Sequence, residues 1–262
     1  MSNNTVQSLW IGDRLTLMEQ LSIKSFIANG HEYHLYVYDD VKDIPSRAIV
    51  KDANEIIPES EVYKSKFLTD HGEYCGFSDY FRIKLIIDKG GYWADNDFVC
   101  LKHFDFKEEY VFSSEMRAKG LERMNTGIIK CPQDDYYLQQ IYKHMTKDAV
   151  RKTQGGLIFG DNMIKHIKKY DLDKYIKKYD VFCKIKFAES CNLIVKGLMK
   201  NYDYYNDCYA VHLWRQIMAS QKEVLSSEKN SFKRKLKSMF VIDRDKIYST
   251  DTVYGFWQDK YL

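Results

Sequence analysis

The sequence predicts an α/β fold, a mostly parallel central sheet flanked by helices, with a helical C-terminal extension. Two observations carry this. Strand-like and helix-like patterns alternate from the start of the chain, and a β-α-β opening implies parallel strands joined by a helical crossover. Further on, between Ser78 and Leu101, a helical stretch closes on two glycines and gives way to a short apolar strand.

The elements follow in order. Val6 to Ile11 reads as a buried strand ending at Gly12. A helix is expected over about Leu15 to Asn29, where Leu15, Leu17, Met18, Leu21, Phe26 and Ile27 make a broad apolar face and Gly30 suits the C-terminal cap. His34 to Tyr38 alternates as a second strand and stops at Asp39-Asp40. A loop-rich span then holds Pro45 and Pro58. Ser78 is a good N-cap for a helix running to Lys89, which Gly90-Gly91 ends. Phe98 to Leu101, Tyr110 to Ser113 and Gly127 to Lys130 are short strands, and Asp134 to Lys147 is helical. A second helical region spans Asp161 to Tyr179, and late strands are expected at Val181 to Phe187 and Tyr209 to Leu213. Arg215 to Met239 leans helical and is rich in lysine. With no internal repeat or linker, residues 1–262 read as one domain, of which about 215–262 is the basic extension.

Composition narrows the function. The chain has 262 residues, 45% hydrophobic and 29% charged, which is ordinary for a globular protein. Its 21 tyrosines, with 14 phenylalanines, are too many to be all core, so many lie part-exposed or line a polar cleft. A formal charge of only +3 argues against a nucleic-acid partner, which would call for a concentrated basic face. The six cysteines are scattered without a C-x-x-C pair, which points to a reducing, cytoplasmic setting. No signal segment and no run long enough to span a bilayer is visible.

The chemistry concentrates between Gly76 and Leu101 (GFSDYFRIKLIIDKGGYWADNDFVCL). Asp79 and Arg82 stand at i and i+3, on one side of a helix. The double glycine allows a tight reversal. Tyr92-Trp93 then precede Asp95-Asn96-Asp97, and in an extended chain residues i and i+2 face the same way. Asp95 and Asp97 together could hold a hard divalent cation, with a diphosphate completing its oxygen shell. The D-x-D pattern alone decides nothing. It recurs at Asp171/Asp173 and Asp243/Asp245, where it reads as solvated surface charge.

Taken jointly, S-D-x-x-R followed by G-G-aromatic-aromatic-x-D-x-D resembles the signature of DXD-containing sugar transferases. These include capsular polysaccharide transferases, fungal mannosyltransferases and the glucosylating domains of clostridial toxins. V-Q-S-L-W-I-G (6–12) looks like that group's opening strand and A-V-H-L-W (210–214) like its closing motif. The resemblance implies a GT-A-like fold and metal-dependent transfer of a hexose from a nucleotide sugar, UDP before GDP, with retention of configuration. It implies that Trp10 stacks on the donor base, and that Ser78, Asp79 and Arg82 contact the donor sugar. Trp93 and Asp95 would lie near ribose or sugar, Asn125 would face the sugar, and Trp214 would cover the diphosphate. Asp97 and His212, with Asp95, would hold the metal. One imidazole among oxygens favours Mn²⁺ over Mg²⁺.

Other readings stay open at this point. Trp10, Trp93 and Trp214 could be core, Asp79–Arg82 a surface ion pair, His212 a structural histidine and Asn125 a turn residue. Glu115, Asp134, Asp135 and Asp161 are the acids open as a general base for inverting transfer, none with a distinguishing context. Gln154-Gly155-Gly156 stands where the group often has Gly-Pro, which leaves the acceptor, a glycan or a lipid-linked one, least defined. Residues 231–240 interleave basic and apolar side chains and would suit an anionic membrane surface or a solvated helix face. A nucleotide-sugar phosphoesterase and a non-catalytic nucleotide- or glycan-binding protein are the alternative functions.

Overall fold

A computed structural model describes residues 4–64, 74–117, 120–144, 157–197, 205, 207–215 and 242–262. Its centre is a six-stranded sheet built from β1 (Thr5–Trp10), β2 (Glu32–Val37), β3 (Ile49–Asp52), β4 (Gly91–Ala94), β6 (Val111–Met116) and β7 (Glu122–Cys131). The strand order is β3-β2-β1-β4-β7-β6. β1 runs parallel to β2 over its whole length, and β2 parallel to β3. β1 is also parallel to β4, whereas β7 is antiparallel to both β4 and β6. Only β7 therefore runs against the other five, which makes the sheet mostly parallel. A separate two-stranded ribbon pairs β5 (Phe98–Cys100) with β8 (Ala210–His212), antiparallel.

Strand periodicity sorts the core into two faces. Leu9, Tyr36, Trp93, Phe112 and Ile129 point to one side, where they pack with Phe77, Phe81, Leu85 and Ile86 of α3 (Cys75–Lys89). Leu138 and Ile141 of α4 (Tyr136–His144) and Met163 and Ile167 of α5 (Leu157–Lys169) complete that layer. Val6, Tyr33, Leu35, Tyr92 and Ile128 point to the other side, against Ile23 and Phe26 of α1 (Leu17–Ala28) and against Phe98. The far side of α1 buries Met18 and Leu21 against Val99, Val211, Tyr254 and Trp257. The last two belong to α7 (Val253–Tyr261), which closes the layer over α1. α2 (Glu59–Lys64) and α6 (Tyr179–Phe182) are short connecting helices.

The opening strands and α1 fall where the pattern puts them. Four places differ. The helix expected from Ser78 already starts at Cys75, because the Ser78 N–H donates to the Tyr74 carbonyl at 2.8 Å and so lies inside the helical ladder. The strand expected at 181–187 is instead α6 followed by a 3-10 turn at Phe187–Ile194. Phe182, Cys183 and Ile185 are buried there without forming a ladder. The region expected to be helical from 161 to 179 ends its α-helix at Lys169, and Asp171 takes a left-handed φ of 55°. No strand is expected at β3, the third parallel strand, because it lies at the sheet edge with Ile49 and Val50 exposed and no alternating pattern marks it. Residues 145–147, Gln154-Gly155-Gly156 and the basic segment 231–240 lie outside the described residues. Among the described residues no helix is long and apolar enough to cross a membrane, and Cys100, Cys131, Cys183, Cys191 and Cys208 are free thiols.

Candidate metal and donor site

The sheet reverses its strand order between β1 and β4, and ligands of open α/β sheets bind beyond the carboxyl ends of strands at such a point. The β1–β4 pairing covers only Val6↔Tyr92 and Gln7↔Trp93. Beyond it Asn96 sits between the strands, its Nδ2 donating to the Leu9 carbonyl at 2.8 Å and its Oδ1 accepting from the Tyr33 hydroxyl at 2.9 Å. Gly90, at a left-handed φ of 67°, lets the chain leave α3 and enter β4 at once. A Cβ there would stand 2.8 Å from the backbone nitrogen of Gln133.

Asp95-Asn96-Asp97 form a turn between β4 and β5, not the extended run that i, i+2 alternation assumes. The two carboxylates meet nonetheless. One ligand atom each from Asp95, Asp97 and His212 lies within 4.8 Å of the others. β8 brings the histidine: it pairs Phe98 with His212, whose rings stack at 4.2 Å and 9°. His212 Nε2 is 3.2 Å from Asp97 Oδ2. Asp97 is held further by the Arg215 N–H, which donates to Oδ2 at 2.8 Å, and its carbonyl accepts the Leu213 N–H at 2.8 Å. The Asp95 N–H donates to the Gly127 carbonyl at 2.8 Å.

Charge is tightly coupled here. Burial would raise the Asp97 pKa, but His212 and the Arg215 N–H outweigh it and hold the carboxyl at about 2. Burial works against protonation of His212, yet Asp97, with Asp95 and Glu115 behind it, pulls its pKa up. The Asp95 pKa is raised by burial, opposed by Arg82 and reinforced by Asp97.

The residues fit a divalent cation. Ligands at about 2.1 Å from such an ion stand about 3 Å apart when adjacent, close to the 3.2 Å between Asp97 and His212. The donor set is two carboxylates and an imidazole, and the buried His212 Nδ1 has no hydrogen-bond partner from the protein.

Arg82 organises the adjoining wall. Its Nη2 lies 3.1 Å from Asp79 Oδ1 and 3.2 Å from Asp95 Oδ1, and its Nη1 donates to the Thr126 carbonyl at 2.6 Å. Its guanidinium stands 4.9 Å over the Trp93 ring, and Trp93 Nε1 donates to Asp95 Oδ1 at 2.8 Å. Ser78 Oγ accepts from Arg82 Nη2 at 3.4 Å, so the serine faces this cluster rather than capping the helix. Asp79 and Arg82 are buried, which makes them more than a surface ion pair. Burial pushes the Asp79 pKa up to about 7 against the pull of Arg82.

The structure brings the remaining predicted residues to the same region. Trp10 is buried, with the Arg215 guanidinium 4.8 Å over its ring and its Nε1 unpartnered. Trp214 packs on His212 with ring centres 3.9 Å apart, donates its Nε1 to the Ile185 carbonyl at 2.9 Å, and has a left-handed φ of 61°. Asn125 Nδ2 donates to Glu115 at 2.9 Å. Sequence reasoning missed Arg215 and Thr126. Arg215 directly follows the A-V-H-L-W motif, and Thr126 sits beside Asn125, so position next to a motif was the available signal. Of the other acids, Asp135 caps α4 by accepting the Leu138 N–H and bonds Tyr110. Asp134 has a left-handed φ of 56° and bonds its N–H to Ile87, and the described residues leave the Asp161 side chain out. Asp171, Asp173, Asp243 and Asp245 are exposed, as expected of solvated charge.

No protein-family model matches the chain, and no curated protein matches its sequence. Among solved structures it is similar to the PaToxG glycosyltransferase at 13% identity and a TM-score of 0.44, covering 82% of this chain and 86% of that one. It is also similar to a transferase at 12% identity and a TM-score of 0.35, covering 71% and 90%. The apo-form glycosyltransferase GlyE of Streptococcus pneumoniae overlaps at 14% identity and a TM-score of 0.31, covering 84% and 63%. These likenesses are remote, and the chemistry of the site rests on its own residues.

Proposed function

We propose that this protein is a metal-dependent glycosyltransferase with a GT-A-like domain. It would move a hexose from a nucleotide sugar, UDP-linked first, to a glycan or lipid-linked acceptor with retention of configuration. The observation that carries this is the convergence of Asp95, Asp97 and His212 at the carboxyl ends of β1 and β4, beside the buried Asp79–Arg82 pair. Asp97, His212 and Asp95 would hold the cation, with Mn²⁺ ahead of Mg²⁺ because of the imidazole. The cation would supply charge neutralisation for a departing diphosphate.

The chain's own residues supply orientation. Arg82 is held by Asp79, Asp95 and Thr126, so it would fix the Asp79 and Asp95 carboxylates in place before a sugar arrives, and a sugar oxygen would have to share one of its bonded hydrogens. Asp79, whose pKa burial raises to about 7, would accept from a sugar hydroxyl as a carboxylate and could donate to one when protonated. Trp10 would supply a flat wall for the base and Trp214 one for the diphosphate, while the core-packed Trp93 would back the ribose side through Asp95 and Arg82, and Asn125 would stand on the sugar side. Among the described residues one acidic-imidazole group of metal-holding geometry is found, which speaks for a one-metal transferase over a two-metal phosphoesterase.

Calorimetry and thermal shift with nucleoside diphosphates and their sugars, with and without Mn²⁺, test the reading. A ligand that stabilises the wild type only when Mn²⁺ is present, together with sugar transfer to an acceptor, is expected. Metal-dependent release of free sugar with no acceptor dependence would replace the transferase by a hydrolase.

A further inference from the structure

Two apart on β6, Ser113 and Glu115 face the same side as Asn125 of the neighbouring strand β7, where a bulge between Phe112 and Ser113 shifts the register. The Asn125 carboxamide is pinned at both ends. Its Oδ1 accepts the Gly127 N–H at 2.7 Å, and its Nδ2 donates to Glu115 Oε2 at 2.9 Å. A backbone N–H can only donate and a carboxylate only accept, so the amide cannot be turned over without losing both bonds. Glu115 is itself buried and fixed through its second oxygen, 2.5 Å from Arg117 Nε. The same stretch of β7 touches the candidate site on both flanks. Thr126 accepts from Arg82, Gly127 accepts from the Asp95 N–H, and a Cβ on Gly127 would stand 2.7 Å from the Phe98 ring that stacks on His212.

We propose that Glu115 is a positioning residue: it fixes the Asn125 amide so that the second Nδ2 hydrogen is presented to the site, as a donor to a hydroxyl oxygen of the transferred sugar. This rests on the transferase reading. Asn125 thus selects for an acceptor oxygen at that place, and Glu115 acts through Asn125 without touching the sugar.

Two readouts separate the proposal from the reading beneath it. In ¹⁵N-labelled protein, the Asn125 side-chain amide signals are expected to shift and exchange faster in E115A, and to stay near their wild-type place in E115Q, whose carbonyl oxygen still accepts. In turnover with the donor sugar, E115A is expected to lower kcat roughly 10- to 100-fold, the scale of a misplaced contact. The affinity for the nucleoside diphosphate alone is expected to be unchanged. N125A lowers kcat similarly, and the E115A/N125A double variant is no worse than N125A, because one interaction is removed once. E115Q retains most activity. Should E115A fail to fold, E115D, which keeps the charge but withdraws it from reach, carries the same expectation. Losses that add in the double variant, or Asn125 signals unmoved in E115A, overturn the proposal. A wild type that binds no nucleotide and transfers no sugar fells the transferase reading instead, while the Asn125 signals still decide whether Glu115 positions it.

Discussion

His212 Nε2 and Asp97 Oδ2 face each other at 3.2 Å, both side chains buried, with Oδ2 also accepting the Arg215 N–H. A divalent cation that binds this folded pair and not the unfolded chain stabilises the protein by mass action, by about 2.7 kcal/mol at a hundredfold excess over its Kd. The melting temperature of the wild type is therefore expected to rise when EDTA is exchanged for Mn²⁺. D97N keeps the shape but lowers the ligand charge, and is expected to lose most of that rise. An equal rise in D97N would place the cation elsewhere.

Arg82 is the shared partner of Asp79, Asp95 and Thr126, at 3.1, 3.2 and 2.6 Å. Removing one member of a buried charge cluster leaves the others uncompensated, at a cost of about 3–5 kcal/mol. R82A is expected to lose stability on that scale in urea unfolding. R82K is expected to recover little of it, since a single ammonium cannot reach three partners in the geometry of a planar fork. A loss below about 1 kcal/mol would mean a solvated, replaceable pair.

Gly127 admits no side chain at its present place, because a Cβ would stand 2.7 Å from Asn125 Oδ1 and 2.7 Å from the Phe98 ring. G127A is expected to destabilise by about 1–3 kcal/mol, the scale of overpacking a core. It should also weaken Mn²⁺ binding, since Phe98 carries the stacked His212 ring. Parallel unfolding and Mn²⁺ titrations check both effects, and unchanged metal affinity would uncouple Phe98 from the ligand.

His31 gives the fold a pH dependence away from the site. Its Nδ1 lies 3.1 Å from the Asn4 carbonyl, its Nε2 accepts the Phe104 N–H at 3.1 Å, and its ring stacks on His103 at 4.4 Å. Burial lowers its pKa to about 4, with the Asn4 carbonyl opposing and His103 adding to the effect. The folded value lies below the unfolded one, so the stability tied to neutral His31 is present above about pH 6.5. It is lost as pH falls towards 4, by up to about 3 kcal/mol. Protonation would also take the acceptor from the Phe104 N–H. Urea unfolding from pH 7.5 to 4 is expected to fall less steeply for H31Q than for the wild type. Parallel curves would remove His31 from the account.

The sequence made the sheet legible where both faces of a strand are buried or alternate, as in β1 and β2, since there the side chains carry the pattern. β3 escaped because an exposed edge strand is held by backbone bonds to β2, which any sequence supplies. The run 181–187 was apolar enough for a strand, but burial of Phe182, Cys183 and Ile185 needs no ladder. At the site, the residue types around Asp95 and Asp97 were readable, because cation chemistry demands carboxylates close together. The turn that brings them together was not, nor was the use of backbone groups from Thr126, Gly127 and Arg215, which any residue type can provide.

The central claim is that Asp95, Asp97 and His212 bind one divalent cation. Electron paramagnetic resonance of Mn²⁺ tests it most directly, because protein-bound ion loses the sharp six-line signal of the free ion. Titration of the wild type is expected to show one bound Mn²⁺ per chain, with D97A and H212A each leaving the signal free at the same concentrations. Full free signal with the wild type, or equal binding by D97A, would contradict the account.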